Sequence, residues 1–306
     1  MTRLAEIQRS RASTGELLGI VAAMRSLAAM RLQEAEQALP AMRRYAQAMA
    51  LGIGTVLQMP SAGLVAPTTG PRAIILCTAE HGFVGAYNER LLDRAHSELG
   101  PRDVLFVLGE RGAALALERR QRPAWTHPMP TRIAAIPDCV SALVDVLFEH
   151  LARGALARAD VVVCHATQGR TPSLEQRRLL PIDAQRFTTR QDAQPPLTNL
   201  PTAVLLENLI AEYVFAQLTE ALADAIAGEN SARFTAMEAA HDNVSRKLAT
   251  LRQAEREARQ SEITAELLDL VVGSGALGEG ASNDPQGYGP PVASLPPSTG
   301  RLTPVM

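Results

Sequence analysis

From Thr202 to Val272 the chain holds no proline and a single glycine, Gly228. At about 1.5 Å of rise per residue, such a run makes a helix on the order of 100 Å long. Few helices of a compact domain reach that length, and most helical stability comes from packing an apolar face. Leu218, Leu222 and Ala225 mark such a face, and Met237, Val244, Leu248 and Leu251 continue it. Ile263, Leu267 and Leu270 carry it to the end, where Gly273 is the expected stop. A helix of this kind needs a partner along its whole stripe.

The other terminus offers one. Residues 2–39 contain no proline, and Leu4, Ile7, Thr14, Leu18, Val21, Ala28, Leu32, Ala35 and Leu39 recur in steps of three and four, with Arg11 and Arg25 on the same seam. That is a heptad-like stripe interrupted by charge. Gly15 and Gly19 weaken the helix without ending it. A kink is expected at Pro40, after which the pattern resumes and fades before the turn-rich stretch 60–71. Pairing the two terminal helices antiparallel buries both stripes. The C-terminal helix is the longer and should overhang by roughly 30 Å, beginning near Arg252.

Between the helices the texture changes. RAIILC (72–77), DVLFVLG (103–109) and DVVVCHA (160–166) are short apolar runs of strand length. Helical patterns lie between and around them at 88–99, 112–120 and 139–154. The alternation predicts a mostly parallel sheet with helices packed on it. The expected organisation is α/β plus coiled coil: an N-terminal coiled-coil helix over 1–59, a linker over 60–71, a central α/β domain over 72–201, a C-terminal coiled-coil helix over 202–273, and a Gly- and Pro-rich tail over 274–306 that reads as disordered.

Composition narrows the function classes. The formal net charge of -2 over 306 residues argues against nucleic acid as the main partner. Cys77, Cys139 and Cys164 are far apart and lack C-x-x-C spacing, as expected of buried free thiols in a reducing compartment. The N-terminal stretch has no apolar core of a secretory signal. No run of about 18 apolar residues predicts a membrane span. The expected location is cytoplasmic, with room for a peripheral place on a membrane complex.

No catalytic constellation stands out. Gly82, Gly85 and Asn88 follow a strand, but G-x-x-G is neither a dinucleotide fingerprint nor a P-loop. A tight strand-to-helix turn with Asn88 near the helix N-cap is the favoured reading. The six histidines form no helical pair of zinc-site type. Ser173, Asp138 and His165 lack the G-x-S-x-G context of a triad nucleophile. Neither cofactor nor metal is expected. The mixed-charge run 252–262 reads by itself as a solvated helix face with i, i+4 pairs such as Glu255 with Arg259.

Three blocks resemble the gamma subunit of F-type ATP synthases. IVAAMRSLAAMRLQEA (20–35) is similar to that family's N-terminal helix block, with Met24, Ala28, Ala29 and Arg31 on the pattern. TAEHGFVGAYN (78–88) resembles the family's glycine turn at Gly82, Gly85 and Asn88, and departs at Glu80, His81 and Val84. The strongest block runs from 228–248 to 259–277, matching at Arg233, Ala236, Met237, Asp242, Asn243, Arg259, Gln260, Ile263, Thr264, Glu266 and Leu267. Glu255 and Arg256 stand where the family has Tyr-Asn, and the tail from Gly278 has no counterpart.

The resemblance implies a non-catalytic rotor of a central stalk. Its partners would be the alpha and beta subunits of the catalytic hexamer, an epsilon subunit and the membrane c-ring. The complex would sit at the cytoplasmic face of the inner membrane. Met24, Arg233, Arg259, Gln260, Ile263, Thr264, Glu266 and Leu267 would be contacts to alpha and beta. The rival readings are a helical scaffold or adapter without rotary function, and a nucleotide-using α/β enzyme with helical arms.

Overall fold

The computed structural model describes residues 3–59, 70–165, 173–187 and 197–278, with side chains to 272. Most of the expected linker, part of the 191–201 insert and the tail beyond 278 lie outside the described residues. The described residues form two compact units, one of residues 10–250 and one of 3–9 with 251–278.

Helix α1 spans Arg3–Leu57 and α5 spans Thr202–Gly278. The first passes through Pro40 without a break. The second continues past Gly273, where the sequence suggested a stop. Between them come β1 (Arg72–Cys77), α2 (Tyr87–Glu98), β2 (Val104–Leu108), α3 (Glu110–Glu118), β3 (Trp125–His127), α4 (Ile136–Ala152), β4 (Arg158–His165) and β5 (Ser173–Leu180). The strands lie in the order β3-β2-β1-β4-β5. The first four are parallel, and β5 adds antiparallel to β4. Three strand runs and three helical patterns are where the sequence put them. The two edge strands, β3 and β5, are additions to that expectation.

Both faces of the sheet are covered, so its central strands read as continuous apolar runs. Ile74 and Leu76 of β1 point to α2 and α3, packing with Leu91, Leu92 and Ala116. Ala73, Ile75 and Cys77 point the other way. There they join Leu143 and Leu147 of α4 with Val214, Leu218 and Ala221 of α5 and Ala35 and Leu39 of α1. The two long helices thus close one face of the sheet as part of its main core.

In the larger unit the two helices run antiparallel. Arg43 pairs with Glu220 and Asp224, Tyr45 with Glu212, and Gly52 lies against Leu209. The buried positions of α1 include Val21, Ala28, Ala35 and Leu39 of the expected stripe, and Ala46 and Ile53 extend it in steps of seven. In the smaller unit, Gln8 Nε2 donates to Glu255 Oε1 at 3.3 Å.

Candidate functional site

A doubly wound sheet binds ligands in the crevice beyond the carboxyl ends of its strands, where the strand order reverses. Here that crevice lies beyond β1 and β4, and α5 fills it. A methyl group on Gly228 would sit 2.0 Å from the carbonyl oxygen of Cys164, so the helix backbone rests directly on the end of β4. Tyr87 Oη lies 3.1 Å from Cys77 O and 3.3 Å from Ala225 O, its one hydrogen shared between the end of β1 and the helix. All ten residues from Ala221 to Asn230 are buried.

The turn after β1 is built from inside. Asn88 Oδ1 accepts from the Ala79 amide at 2.8 Å, closing the turn. It does not cap α2, whose N-cap position is Ala86 without a side-chain cap. Gly85 has φ +58, a left-handed conformation that glycine adopts without strain. Phe83 holds φ +64 despite its side chain and stands 65% exposed. Glu80 Oε2 accepts from the amides of Glu110 at 3.2 Å and Met129 at 2.7 Å, tying the turn to the start of α3.

Arg233 braces this turn from α5. Its guanidinium donates to Glu229 at 2.5 Å, to Asn230 at 3.1 Å, and to the carbonyls of His81 at 3.3 Å and Gly82 at 3.4 Å. Both Arg233 and Glu229 are buried. Burial pushes the Glu229 carboxyl above its ordinary pKa, against the pull of Arg233. The guanidinium is committed within the chain, so the partner contact implied at this position would have to run through the turn it holds.

The other implied contacts lie at the exposed end of α5. Arg259 donates to Glu255 at 3.5 Å, the pair expected on the helix face. Gln260 and Glu266 are exposed, and Thr264 Oγ1 folds back to the Gln260 carbonyl at 2.8 Å. Ile263, Leu267, Leu268, Leu270, Val271 and Val272 are between 51% and 70% exposed. Met24 lies half-buried on α1.

The arrangement at that end is unlike an ordinary surface helix. At about 100° per residue, the six apolar side chains sweep roughly 200° of the helix wall, and Glu262, Glu266 and Asp269 fill the rest. A helix lying on one neighbour needs a stripe of only about 100°. An apolar surface twice as wide fits a partner that surrounds it. Leu268 and Val272, off the sequence stripe, carry the widening.

A family model described as ATP synthase matches residues 3–277. The ATP synthase gamma chain of Streptomyces avermitilis is 28% identical over 280 residues, covering 85% of this chain and 91% of that one. The gamma chain of Nocardia farcinica is 27% identical over 324 residues, covering 93% of this chain and all of its own length. Among solved structures, a chain of the Euglena gracilis mitochondrial ATP synthase, in the assembly of OSCP, F1 and c-ring, superposes with a TM-score of 0.62 at 14% identity. It covers 94% of this chain and 98% of the Euglena chain. A chain from the rotor of the same enzyme superposes with a TM-score of 0.57 at 14% identity, over 85% of this chain and 98% of its own.

Proposed function

The chain belongs to the ATP synthase gamma family, and from that premise we propose that it is the central-stalk rotor of a rotary F-type ATP synthase. It is a non-catalytic subunit. It couples ion flow through a membrane ring to conformational change at the catalytic sites of an alpha and beta hexamer. The observation that carries the reading is the apolar end of α5, whose exposed sweep fits a collar better than a flat partner.

The mechanism follows from asymmetry. A helix pair standing inside a ring of three catalytic sites presents a different face to each. Contact that favours one conformation of a site shifts that site's population. Turning the rod moves the preference around the ring, so rotation and nucleotide release are linked, and hydrolysis drives the reverse. At the tip, Ile263 and Leu267 supply contact without directional bonds, which lets the shaft turn. Arg259, Gln260, Thr264 and Glu266 supply polar contacts beside them. Met24 contacts alpha and beta from α1, and Arg233 acts by holding the 81–85 turn in place. The α/β domain carries the contacts to epsilon and the c-ring. Among the described residues no helix is long and apolar enough to cross a membrane. We place the complex at the cytoplasmic face of the inner membrane.

Co-expression with the alpha and beta subunits of the same organism tests this. A hexamer holding one copy of this chain and hydrolysing ATP is the expected result. A stable homodimer with no affinity for alpha and beta would instead establish the helical scaffold.

A further inference from the structure

A rotor must pass torque between its head and its shaft. In this chain the two meet where the sheet packs on α1 and α5, an interface made largely of Leu, Val and Ala side chains. Apolar packing is non-directional and resists sliding only through shape. A buried carboxylate breaks that pattern. The Asp224 side chain, on α5, is fully buried at 0% exposure. Arg43 Nη2 of α1 donates to its Oδ1 at 3.3 Å, and His165 Nδ1, at the end of β4, lies 3.1 Å from the same oxygen. Arg177 Nη2 of β5 donates to its Oδ2 at 2.5 Å. Both arginines also reach Glu220, one turn earlier on α5, at 3.3 Å and 3.6 Å.

We propose that Asp224 is the torque joint of the molecule, the fully buried carboxylate through which the α/β domain turns the helix pair. The inference rests on the rotor reading. A buried carboxylate is costly to desolvate and weak evidence for stability in itself. Its distinctive property is direction: charge-assisted hydrogen bonds to guanidinium groups have narrow geometry. The donors come from α1, β4 and β5, so rotation of α5 about its own axis stretches bonds to three elements at once. Gly228, one turn further on, lets the helix backbone seat against the end of β4 and limits the same rotation sterically. The other charged hubs do not meet this description. Arg72 gathers Glu98, Asp103 and Asp160 and touches neither long helix. Arg233 joins α5 to a turn only.

The test is coupling in the assembled, membrane-bound complex: ATP-driven ion uptake into inverted vesicles divided by ATP hydrolysed, a ratio independent of how much complex forms. Asp224→Asn should lower that ratio below the wild-type value. An unchanged ratio in assembled Asp224→Asn complex would overturn the joint while leaving the rotor intact. A wild-type chain that never joins alpha and beta would instead sink the rotor reading. If Asp224→Asn fails to assemble, Arg177→Met decides, since Arg177 of β5 is the guanidinium that ties Asp224 to the α/β domain. A lowered ratio restored by Arg177→Lys supports the joint, and an unchanged ratio overturns it.

Discussion

At the scale of single residues, the pair of Arg233 and Glu229 is the sharpest case. Glu229 is held above its ordinary pKa by burial, with Arg233 opposing. Removing Arg233 leaves an uncompensated buried charge, so Arg233→Ala should cost about 3–5 kcal/mol. The double variant with Glu229→Gln should cost less than the single one. A carboxyl whose folded pKa is raised binds its proton more readily in the fold. The penalty of Glu229 is therefore absent below its unfolded pKa of about 4.3 and grows as pH rises through the folded value. The deficit of Arg233→Ala against wild type should be largest at neutral pH and shrink on acidification, read from urea unfolding midpoints. The family resemblance implied an outer contact for Arg233, and the local pattern could not show its burial because periodicity vanishes here. The run 221–230 is buried all round, with no polar face left to orient its neighbours. Asp224 was invisible for the same reason, and its partners Arg43, His165 and Arg177 are scattered over three other elements.

Elements divide by how much of their burial is local. Strands β1, β2 and β4 are buried on both faces and appear as unbroken apolar runs, so they were legible. Strand β5 is an edge with the sequence SLEQRRLL, whose charged residues hide its alternation, and β3 has only three residues. Neither carries enough apolar side chain to announce itself. The glycines of the long helices separate in the same way. Gly228 lies against the backbone of β4, and Gly228→Ala forces a shift that should cost about 1–3 kcal/mol or more. Gly15 and Gly19 have nothing within 4 Å of an added methyl group, so Gly15→Ala and Gly19→Ala should each stabilise by about 0.5–1 kcal/mol. Thermal or urea unfolding of the purified variants should give opposite signs.

For the molecule as a whole, the apolar end of α5 decides behaviour in solution. Six large apolar side chains left in water favour self-association of the free chain. Leu267→Asp combined with Leu270→Asp should reduce that association in light scattering. It should leave unfolding of the α/β domain within about 0.5 kcal/mol, because neither side chain is packed in its core. The same pair should weaken retention by the alpha and beta hexamer on a sizing column. Ile263, Leu267 and Leu270 were legible as a stripe without cover. The full width of that surface was not, since Leu268 and Val272 lie off the stripe.

The packing of Gly228 and Tyr87 against the ends of the strands has one more consequence. In related architectures that hollow receives a diffusible guest, which comes and goes. Here the tenant is covalently part of the house and never leaves. A drug aimed at this subunit should therefore look to its outer walls, because the usual doorway of such a sheet is already bricked up by the protein's own backbone.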